Sequence, residues 1–298
     1  MVYQRVSKSF PIFGFEIYYY GVIIAAAILV AFIMGLYLLK KVGYKEDIAY
    51  LVVLICVPLG FLFARLYYII FEGVPFREFF QFRDGGIAIY GGVIGAALGL
   101  VIITKVIKRC GFFTVADIGV LCLLLAQVIG RWGNFVNDEA FGLCVNSALV
   151  PPFVVAGDSC TACGGAQNHL ATFFYESILN LAGFVFLFLM MFSVVFRRGK
   201  RKFTFKVSVT HRQKKWGTIT AYYLIWYGIV RAIIEPLRMD SLMIGSNESL
   251  IINRVSFMLS LALIIVGVLL LWAVKRGWIS QENTKCLKTK KTDTAEPK

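Results

Sequence analysis

The chain has 298 residues, of which 59% are hydrophobic and only 16% are charged, with a mean hydropathy of +0.75. Soluble domains have about 25% charged residues, so this composition excludes a soluble enzyme, and its hydrophobicity excludes a disordered chain. The net charge is nevertheless +14, from 31 Lys and Arg against 17 Asp and Glu. These basic residues stand between long apolar runs, which is not the pattern of a nucleic-acid binder. The class that remains is a polytopic membrane protein.

Seven apolar segments are long enough to be membrane spans, since a helix needs about 20 apolar residues to cross the hydrocarbon core. In chain order the predicted spans are residues 17–39, 48–71, 86–104, 115–129, 170–196, 217–234 and 250–274. Their apolar runs are continuous, which favours helices over the alternating strands of a membrane barrel. The fourth span is the shortest and contains Asp117 and Gln127. We therefore expect an all-α polytopic membrane protein with seven transmembrane helices.

The positions of the basic residues predict the topology. Of the 31 basic residues, 22 follow the first, third, fifth and seventh spans, and residues 197–215 alone hold nine with no acidic residue. Cytoplasmic loops are enriched in Lys and Arg, so the N-terminus is expected outside and the C-terminus in the cytoplasm. The alternative is that the first 40 residues are a cleaved signal peptide. It is disfavoured because the first apolar run has about 23 residues and basic residues follow it.

The predicted organisation is one transmembrane catalytic domain of residues 1–279 and a tail. Residues 131–169 form the largest outside connection and are expected to fold into a small exterior cap. Residues 280–298 are rich in Lys and Thr, which is typical of a disordered cytoplasmic tail.

Three of the seven cysteines fall in the predicted cap, namely Cys144, Cys160 and Cys163. The Cys160-x-x-Cys163 spacing is compatible with a metal site only if His169 supplies a fourth ligand. An outside disulfide or idle thiols are favoured instead, because disulfides persist in an oxidising compartment. No metal is expected.

Ionisable residues in or near the spans are the strongest indication of function, because they are costly in a bilayer. The arginines are Arg65, Arg131, Arg231, Arg238 and Arg254, and the acids in similar settings are Asp117, Glu139, Glu176 and Glu235. Arginines under apolar walls suit an anion such as a lipid phosphate, since a guanidinium donates two parallel hydrogen bonds. The alternative is that these side chains pair with one another or reach to the interface.

The segment GRWGNFVNDEAFG, residues 130–142, follows the fourth span. It places Arg131, Asn134, Asn137 and Glu139 close together and ends at Gly142. An aromatic-anchored helix end would not need so many polar groups beside its tryptophan. This segment is therefore predicted to form part of a site.

The segment YGIVRAIIEPLR, residues 227–238, ends the sixth span. Its residues Tyr227, Arg231, Glu235 and Arg238 recur at i, i+4, i+8 and i+11, which places them on one helical stripe. Arg231 and Glu235 are spaced to form an ion pair. A stripe of this kind is predicted to face the bundle or a polar cavity.

Two weaker signals open the third and first spans. Gly91, Gly95 and Gly99 recur every four residues, which predicts a close-packing face for another helix. Tyr90 begins that surface, and Tyr20 stands at the outer start of the first span, where interfacial tyrosines are ordinary.

Together these segments resemble the prolipoprotein diacylglyceryl transferase family of bacterial membranes, over nearly the whole chain. GRWGNFVNDEAFG matches the family signature, RAIIEPLR is similar to its Arg-x-x-x-Glu segment, and TFFYESILNL, residues 172–181, is similar to the segment after the cap. The resemblance implies transfer of the diacylglyceryl group of phosphatidylglycerol to the lipobox cysteine of a prolipoprotein. That reaction forms a thioether, releases glycerol phosphate and is the first step of bacterial lipoprotein maturation.

The resemblance also implies a multi-pass protein of the bacterial cytoplasmic (inner) membrane that needs no cofactor. Its expected partners are phosphatidylglycerol, prolipoprotein signal peptides with a lipobox cysteine, and membrane lipids, with no nucleic acid. The expected catalytic residues are Arg131, Arg231 and Tyr90. The expected substrate-binding residues are Tyr20, Asn134, Asn137, Glu139, Gly142, Glu235 and Arg238.

One position departs from the family pattern. Many members have a histidine where this chain has Tyr90, and its two histidines, His169 and His211, lie elsewhere. A tyrosine with a pKa near 10 is a poor base at neutral pH, so the expected role of Tyr90 is to donate a hydrogen bond to the phosphate.

Two other functional classes compete with this interpretation. An anion transporter or channel would use the same arginines, but the broken helices in paired halves that transporters show are not evident. A membrane protease would need a Gly-x-Ser-x-Gly segment or a zinc-binding histidine pair, and the chain has neither.

Overall fold

The computed structural model describes residues 2–3, 8–12, 15–72, 74–80, 86, 88–107, 110–137, 142–145, 154–156, 168–198, 203–209, 215–239 and 255–279. Within them the helices are α1 (Tyr19–Val42), α2 (Asp47–Leu51), α3 (Val57–Glu72), α4 (Ile89–Val101), α5 (Phe112–Asn137), α6 (Thr172–Met191), α7 (Thr218–Ile234) and α8 (Val255–Arg276). A π-helical stretch, Val52–Cys56, joins α2 to α3, and another, Ile102–Ile107, extends α4.

Six helical segments of this described part are long and apolar enough to cross a bilayer. They are Tyr19–Val42, Asp47–Phe71, Tyr90–Ile107, Phe112–Asn137, Thr172–Met191 and Val255–Arg276. The prediction of an all-α polytopic membrane protein is thereby confirmed. Helix α7, which corresponds to the predicted sixth span, has 17 residues and is shorter than these six.

The fourth span is longer than the sequence predicted. Helix α5 has 26 residues and continues through Arg131 to Asn137, whereas hydropathy ended the span at residue 129. Gln127, Arg131 and Asn134 lie on one face of that helix, as the spacing i, i+4, i+7 requires. Polar residues on one face do not end a helix when that face meets other helices. The first seven residues assigned to the exterior cap, 131–137, are therefore helical.

The fifth span is shorter than predicted. Helix α6 ends at Met191, and β7 (Phe192–Arg198) pairs antiparallel with β8 (Phe203–Val209). Hydropathy extended the span to residue 196 because it does not distinguish an apolar strand from an apolar helix. Valine and phenylalanine in β7 favour a strand.

The chain forms two compact units. Among the described residues, one unit draws on Met1–Ile33 and Gly119–Ile279 and the other on Met34–Ile118. In the second unit, a Cβ at Gly91 or Gly95 would overlap the backbone carbonyl of Phe63 or Leu59 on α3. This geometry confirms the predicted close-packing face on α4, because only glycine lets the two backbones approach so closely.

In the first unit, helices α5, α6, α7 and α8 pack around the site. The Ser177 hydroxyl of α6 donates to the Val128 carbonyl of α5 at 2.9 Å, and the Trp226 indole of α7 donates to the Leu179 carbonyl at 3.2 Å. The most apolar window of α8 is only 17% buried and that of α5 is 44% buried. Helix α5 is therefore the more central helix, and α8 presents more of its surface to lipid.

A small sheet is formed by short segments between the helices of the first unit and by its first residues. Its strands are β1 (Val2–Tyr3), β5 (Val154–Ala156), β6 (Asn168–Leu170) and β4 (Cys144–Val145), in that order. A separate hairpin of β2 (Ser9–Ile12) and β3 (Phe15–Tyr18) leads into α1. After residue 137, the described part of the predicted cap thus contributes short strands to a sheet.

Candidate active site

Glu176 of α6 connects two arginines from two other helices. Its Oε2 lies 2.8 Å from Arg131 Nη1 of α5, and its Oε1 accepts a hydrogen bond from Arg231 Nη1 of α7 at 3.2 Å. The Glu176 side chain is 1% exposed, while those of Arg131 and Arg231 are 15% and 14% exposed. Both arginine side chains are therefore partly exposed, whereas the carboxylate between them is buried.

Arg231 is held on a second side. Its Nη2 lies 2.9 Å from Glu235 Oε2, one turn along the chain, and 3.3 Å from the Ser256 hydroxyl of α8. The predicted pairing of Arg231 with Glu235 is confirmed. We call Arg131, Glu176, Arg231 and Glu235 the arginine–glutamate cluster.

The cluster is formally neutral, because two carboxylates balance two guanidinium groups. The two arginines nevertheless differ in their unused donors. Arg231 uses both terminal nitrogens, whereas the one ion pair that Arg131 forms among the described residues is with Glu176, through one nitrogen. A guanidinium has five N–H donors in a fixed fork. Arg131 thus has the better geometry to donate to an incoming anion.

Gly142, the last residue of the signature, lies where two chain segments meet. Its N–H donates to the Leu170 carbonyl at 3.0 Å, and it forms an isolated bridge with Arg238. A Cβ at this position would lie 2.6 Å from that of Leu170, so no larger residue fits. Gly142 therefore contacts both the segment before α6 and the segment after α7. These two segments are close in sequence to the cluster residues Glu176 and Glu235.

The remaining signature residues have separate surroundings. The Tyr20 ring lies against Gly133, where a Cβ would come within 2.9 Å of it. Asn134 and Asn137 are part-buried near the end of α5. Glu139 lies outside the described residues.

Three of the five arginines noted in the sequence are not in the cluster, namely Arg65, Arg254 and Arg238, of which Arg238 forms the bridge with Gly142. Arg65 belongs to the second unit and donates to the carbonyls of Glu78, Phe79 and Gly86. Its side chain is a loop clamp and does not fit the expectation of an anion ligand. Arg254 lies outside the described residues.

Tyr90 also belongs to the second unit, at the start of α4. It is part-buried, and its ring packs edge-on against that of Tyr67 at 6.1 Å. Its expected hydrogen bond to a phosphate stays a prediction.

The state of Cys144 agrees with the predicted disulfide in the cap. Cys144 is disulfide-bonded, and its partner lies outside the described residues, as do Cys160 and Cys163. The Cys144 sulfur also lies 3.5 Å from the Met239 sulfur. Within the part of the chain that the structure describes, no three His, Cys, Asp or Glu residues are placed to hold a metal ion.

The sequence named Glu176 as an acid within a span but did not assign it to the site. Its partners are 45 and 55 positions away, and only the packing of α5, α6 and α7 reveals the pairing. The signal that could have found it is the cost of an ionised carboxylate in a bilayer, which requires a cationic partner.

Comparisons with known proteins agree with the resemblance. The family model for prolipoprotein diacylglyceryl transferase matches residues 8–273. Proteins named phosphatidylglycerol–prolipoprotein diacylglyceryl transferase are similar to this chain. That of Clostridioides difficile is 36% identical over 80% of this chain and 85% of its own length, and that of Finegoldia magna is 34% identical over 92% and 98%. That of Enterococcus faecalis is 35% identical over 93% of each chain. The chain belongs to the prolipoprotein diacylglyceryl transferase family.

Proposed function

We propose that this chain transfers the diacylglyceryl group of phosphatidylglycerol to the lipobox cysteine thiol of prolipoproteins, at the arginine–glutamate cluster. The transferase activity, which is the first step of lipoprotein maturation, follows from the family. The observation that supports the site is the buried Glu176, which orients two part-exposed guanidinium groups. Glycerol phosphate leaves with the phosphate that these groups would bind.

The proposed topology has seven spans in the bacterial cytoplasmic membrane, with the N-terminus outside. Helix α7 is proposed as the sixth span in chain order, which brings the total to seven, because the following 3-10 turn, Glu235–Leu237, extends its 17 residues. Lys215 before α7 donates to the Lys275 carbonyl near the end of α8, at 2.9 Å. This contact supports a shared basic side for the two helix ends, which would be cytoplasmic. Arg131 and Arg231 then lie toward the outer ends of their helices.

The reaction uses a nucleophile that belongs to the substrate. A free thiol ionises near pKa 8.5, so some thiolate exists at neutral pH. The thiolate attacks the carbon of the diacylglyceryl group that is bonded to the phosphate oxygen. That carbon–oxygen bond breaks, and glycerol phosphate departs. Arg131 would stabilise the charge that develops on the leaving phosphate, by analogy with oxyanion donors worth about 2.7–4 kcal/mol each. Glu176 and Glu235 hold the two arginines in position and do not act as bases.

The other predicted residues have supporting positions in this proposal. Tyr20, Asn134, Asn137, Glu139, Gly142 and Arg238 are proposed to bind phosphatidylglycerol or the signal peptide. Gly142 and Arg238 would do so through the backbone bridge that joins them.

The decisive experiment supplies purified protein with phosphatidylglycerol and a lipobox peptide, and measures the thioether product by mass spectrometry. Arg231→Ala is expected to abolish transfer while the protein still inserts and folds, because the cluster loses the guanidinium that both glutamates hold. A peptide with serine in place of the cysteine serves as the control that reports any transfer that does not depend on the thiol. Transfer by Arg231→Ala at the wild-type rate would refute the assignment.

Tyr90→Phe tests the proposed hydrogen bond from the phenol to the phosphate. Losing one such bond to a charged group costs about 1.5–3 kcal/mol, so we expect kcat/KM to fall by at least tenfold at unchanged melting temperature. An unaltered rate in the same assay would make the hydroxyl dispensable.

A further inference from the structure

Residues 142–145 lie between the two parts of the chain that lead to the glutamates of the cluster. On one side, the Gly142 N–H donates to the Leu170 carbonyl at 3.0 Å, and the Leu170 N–H donates to the Leu143 carbonyl at 3.0 Å. On the other side, the Leu143 N–H donates to the Leu237 carbonyl at 2.8 Å. We call residues 142–145 the connecting segment, because its backbone is bonded to both neighbours.

Each neighbour of the connecting segment is close in sequence to one glutamate of the cluster. Helix α6 begins two residues after Leu170, and Glu176 is its fifth residue. Leu237 ends the 3-10 turn that begins with Glu235. The guanidinium of Arg231 is bonded to both carboxylates, through Nη1 and Nη2. The separation of the two neighbours therefore contributes to how this guanidinium is held.

The described pairing of the connecting segment is short. Its strand β4 has two residues, which pair Cys144 with His169 and Val145 with Asn168 of β6. The Nδ1 of the buried His169 lies 3.3 Å from the Gly142 carbonyl oxygen. A single hydrogen bond contributes little net free energy, and short strand pairs are marginally stable. A covalent link at this strand would therefore make its hold on the two neighbours firmer.

Cys144 supplies a covalent link at this strand, because it is disulfide-bonded. It is paired with His169 on the side that leads to α6, and its Sγ lies 3.5 Å from the sulfur of Met239, which follows α7. In the proposed topology the connecting segment is outside the membrane, where disulfides persist. The disulfide thus fixes the strand at a point that meets both of its neighbours.

We propose that the disulfide of Cys144 is a positioning element for the transfer reaction, because it holds the connecting segment so that Glu176 and Glu235 keep Arg231 in place. The inference rests on the proposed function, in which the arginine–glutamate cluster binds the phosphate. Misplacing a positioned group by about 1 Å can cost about 100-fold in rate. Breaking the disulfide is therefore expected to slow the transfer in a protein that is still folded.

The test compares oxidised and reduced wild-type protein in detergent micelles, with phosphatidylglycerol and a lipobox peptide. A water-soluble phosphine reduces the disulfide to two thiols, is itself oxidised to the phosphine oxide with oxygen from water, and is removed before the assay. We expect kcat to fall at least tenfold. The KM for phosphatidylglycerol should change by no more than about threefold, because both arginines remain on their helices. Reoxidation with oxidised glutathione, also removed before the assay, should restore kcat.

Cys144→Ser removes the disulfide without a reagent. It should show the kcat of the reduced wild-type protein, and treatment with the phosphine should lower its kcat no further. If this variant does not fold, the reversible reduction of folded wild-type protein still decides the question.

A double-mutant cycle separates positioning from general stability. Glu235→Gln keeps the volume of the side chain but removes the charge that pairs with Arg231. If the disulfide acts through this pair, adding Cys144→Ser to Glu235→Gln should lower kcat by no more than about twofold further, since coupled sites are not additive. Losses that multiply independently would place the effect of the disulfide outside the cluster and contradict the proposal.

Two control variants match the change of residue and the loss of stability. Cys56 is part-buried like Cys144 but carries no disulfide, so Cys56→Ser should keep the wild-type kcat and lose it on reduction. Arg65→Lys weakens the backbone contacts of Arg65 in the second unit. It should lower the melting temperature without lowering the kcat of the folded fraction.

Two further outcomes would overturn the proposal. An unchanged kcat in reduced wild-type protein would show that the disulfide does not affect the reaction. A loss of kcat that only follows the folded fraction, measured by thermal melts of the same samples, would make the disulfide a stabilising element alone. Failure of the proposed function is a separate result, because the oxidised wild-type protein would then form no thioether.

Discussion

Arg65 in the second unit and Arg131 in the first are both embedded arginines, and they differ in what receives their N–H groups. Arg65 donates from Nε, Nη1 and Nη2 to three backbone carbonyls at 2.7–3.2 Å, and it is 3% exposed. Arg131 shares one carboxylate with Arg231 and is more exposed. Burial of an arginine alone therefore does not mark an anion site. An arginine bonded to backbone holds a loop, whereas one oriented by a carboxylate can still donate to a substrate.

The residues around the Arg65 guanidinium leave room for it and hold it in place. Gly86, whose carbonyl accepts a hydrogen bond from Arg65 Nη1, has a φ of +76°, and a Cβ there would overlap the Arg65 guanidinium. The Tyr68 ring lies 5.5 Å from that guanidinium on another side. All three guanidinium nitrogens are thus engaged within the second unit, and the clamp has a structural role.

For the comparison between Arg131 and Arg65, the largest expected effect is that of removing the carboxylate that orients Arg131. Glu176→Leu leaves two arginines in the bundle without this partner, and breaking a buried pair costs about 3–5 kcal/mol. We expect thioether formation to fall at least 100-fold and the melting temperature to drop.

The matched control is Glu78→Gln in the second unit. Arg65 bonds to the backbone carbonyl of Glu78, so changing its side chain should leave both the activity and the melting temperature unchanged. An active Glu176→Leu protein would contradict the distinction between the two arginines.

Exchanging each arginine for lysine gives effects of intermediate size and opposite kind. Arg131→Lys keeps a cation beside Glu176 but loses the planar fork, so we expect transfer to fall about 10- to 100-fold with little change in melting temperature.

Arg65→Lys leaves carbonyls of the clamped loop unsatisfied, at about 1–3 kcal/mol each. It should lower the melting temperature and spare the activity of the folded fraction. Thermal melts and thioether assays on the same preparations decide this, and a reversed pattern would contradict the comparison.

Hydropathy located the six long helices but misplaced two of their ends, at the fifth span where an apolar strand follows the helix and at the fourth where polar residues line one helix face. It ended the fourth span at residue 129, yet α5 continues to Asn137. Arg131 interrupts the apolar run, but its charge is met by Glu176, so the helix has no reason to end there. A hydropathy profile registers the polar side chain of Arg131 but not the carboxylate of Glu176 that neutralises it.

Within the candidate site, only contacts between residues close in sequence could be predicted from the sequence. The i, i+4 spacing of Arg231 and Glu235 was sufficient to predict their ion pair, which the structure confirms. The contacts of Glu176 and Ser256 with Arg231 depend on how α6 and α8 pack against α7. Arg65 showed the opposite difficulty, because nothing in its sequence surroundings distinguishes a clamp from an anion ligand. The partner of each N–H group is a tertiary property.

The smallest expected effect on kcat/KM is that of removing the hydrogen bond between Arg231 and Ser256. Ser256→Ala removes the hydroxyl 3.3 Å from Arg231 Nη2, but Glu235 still holds the same nitrogen at 2.9 Å. A neutral hydrogen bond contributes about 0.5–1.5 kcal/mol, so a shared one should change kcat/KM by no more than about threefold. Ser260→Ala, one turn further along α8, is the control, since its hydroxyl donates to the Phe257 carbonyl within the helix. A large loss in Ser256→Ala alone would place the serine among the groups that contact substrate, and it would mean that the carboxylates do not suffice to orient Arg231.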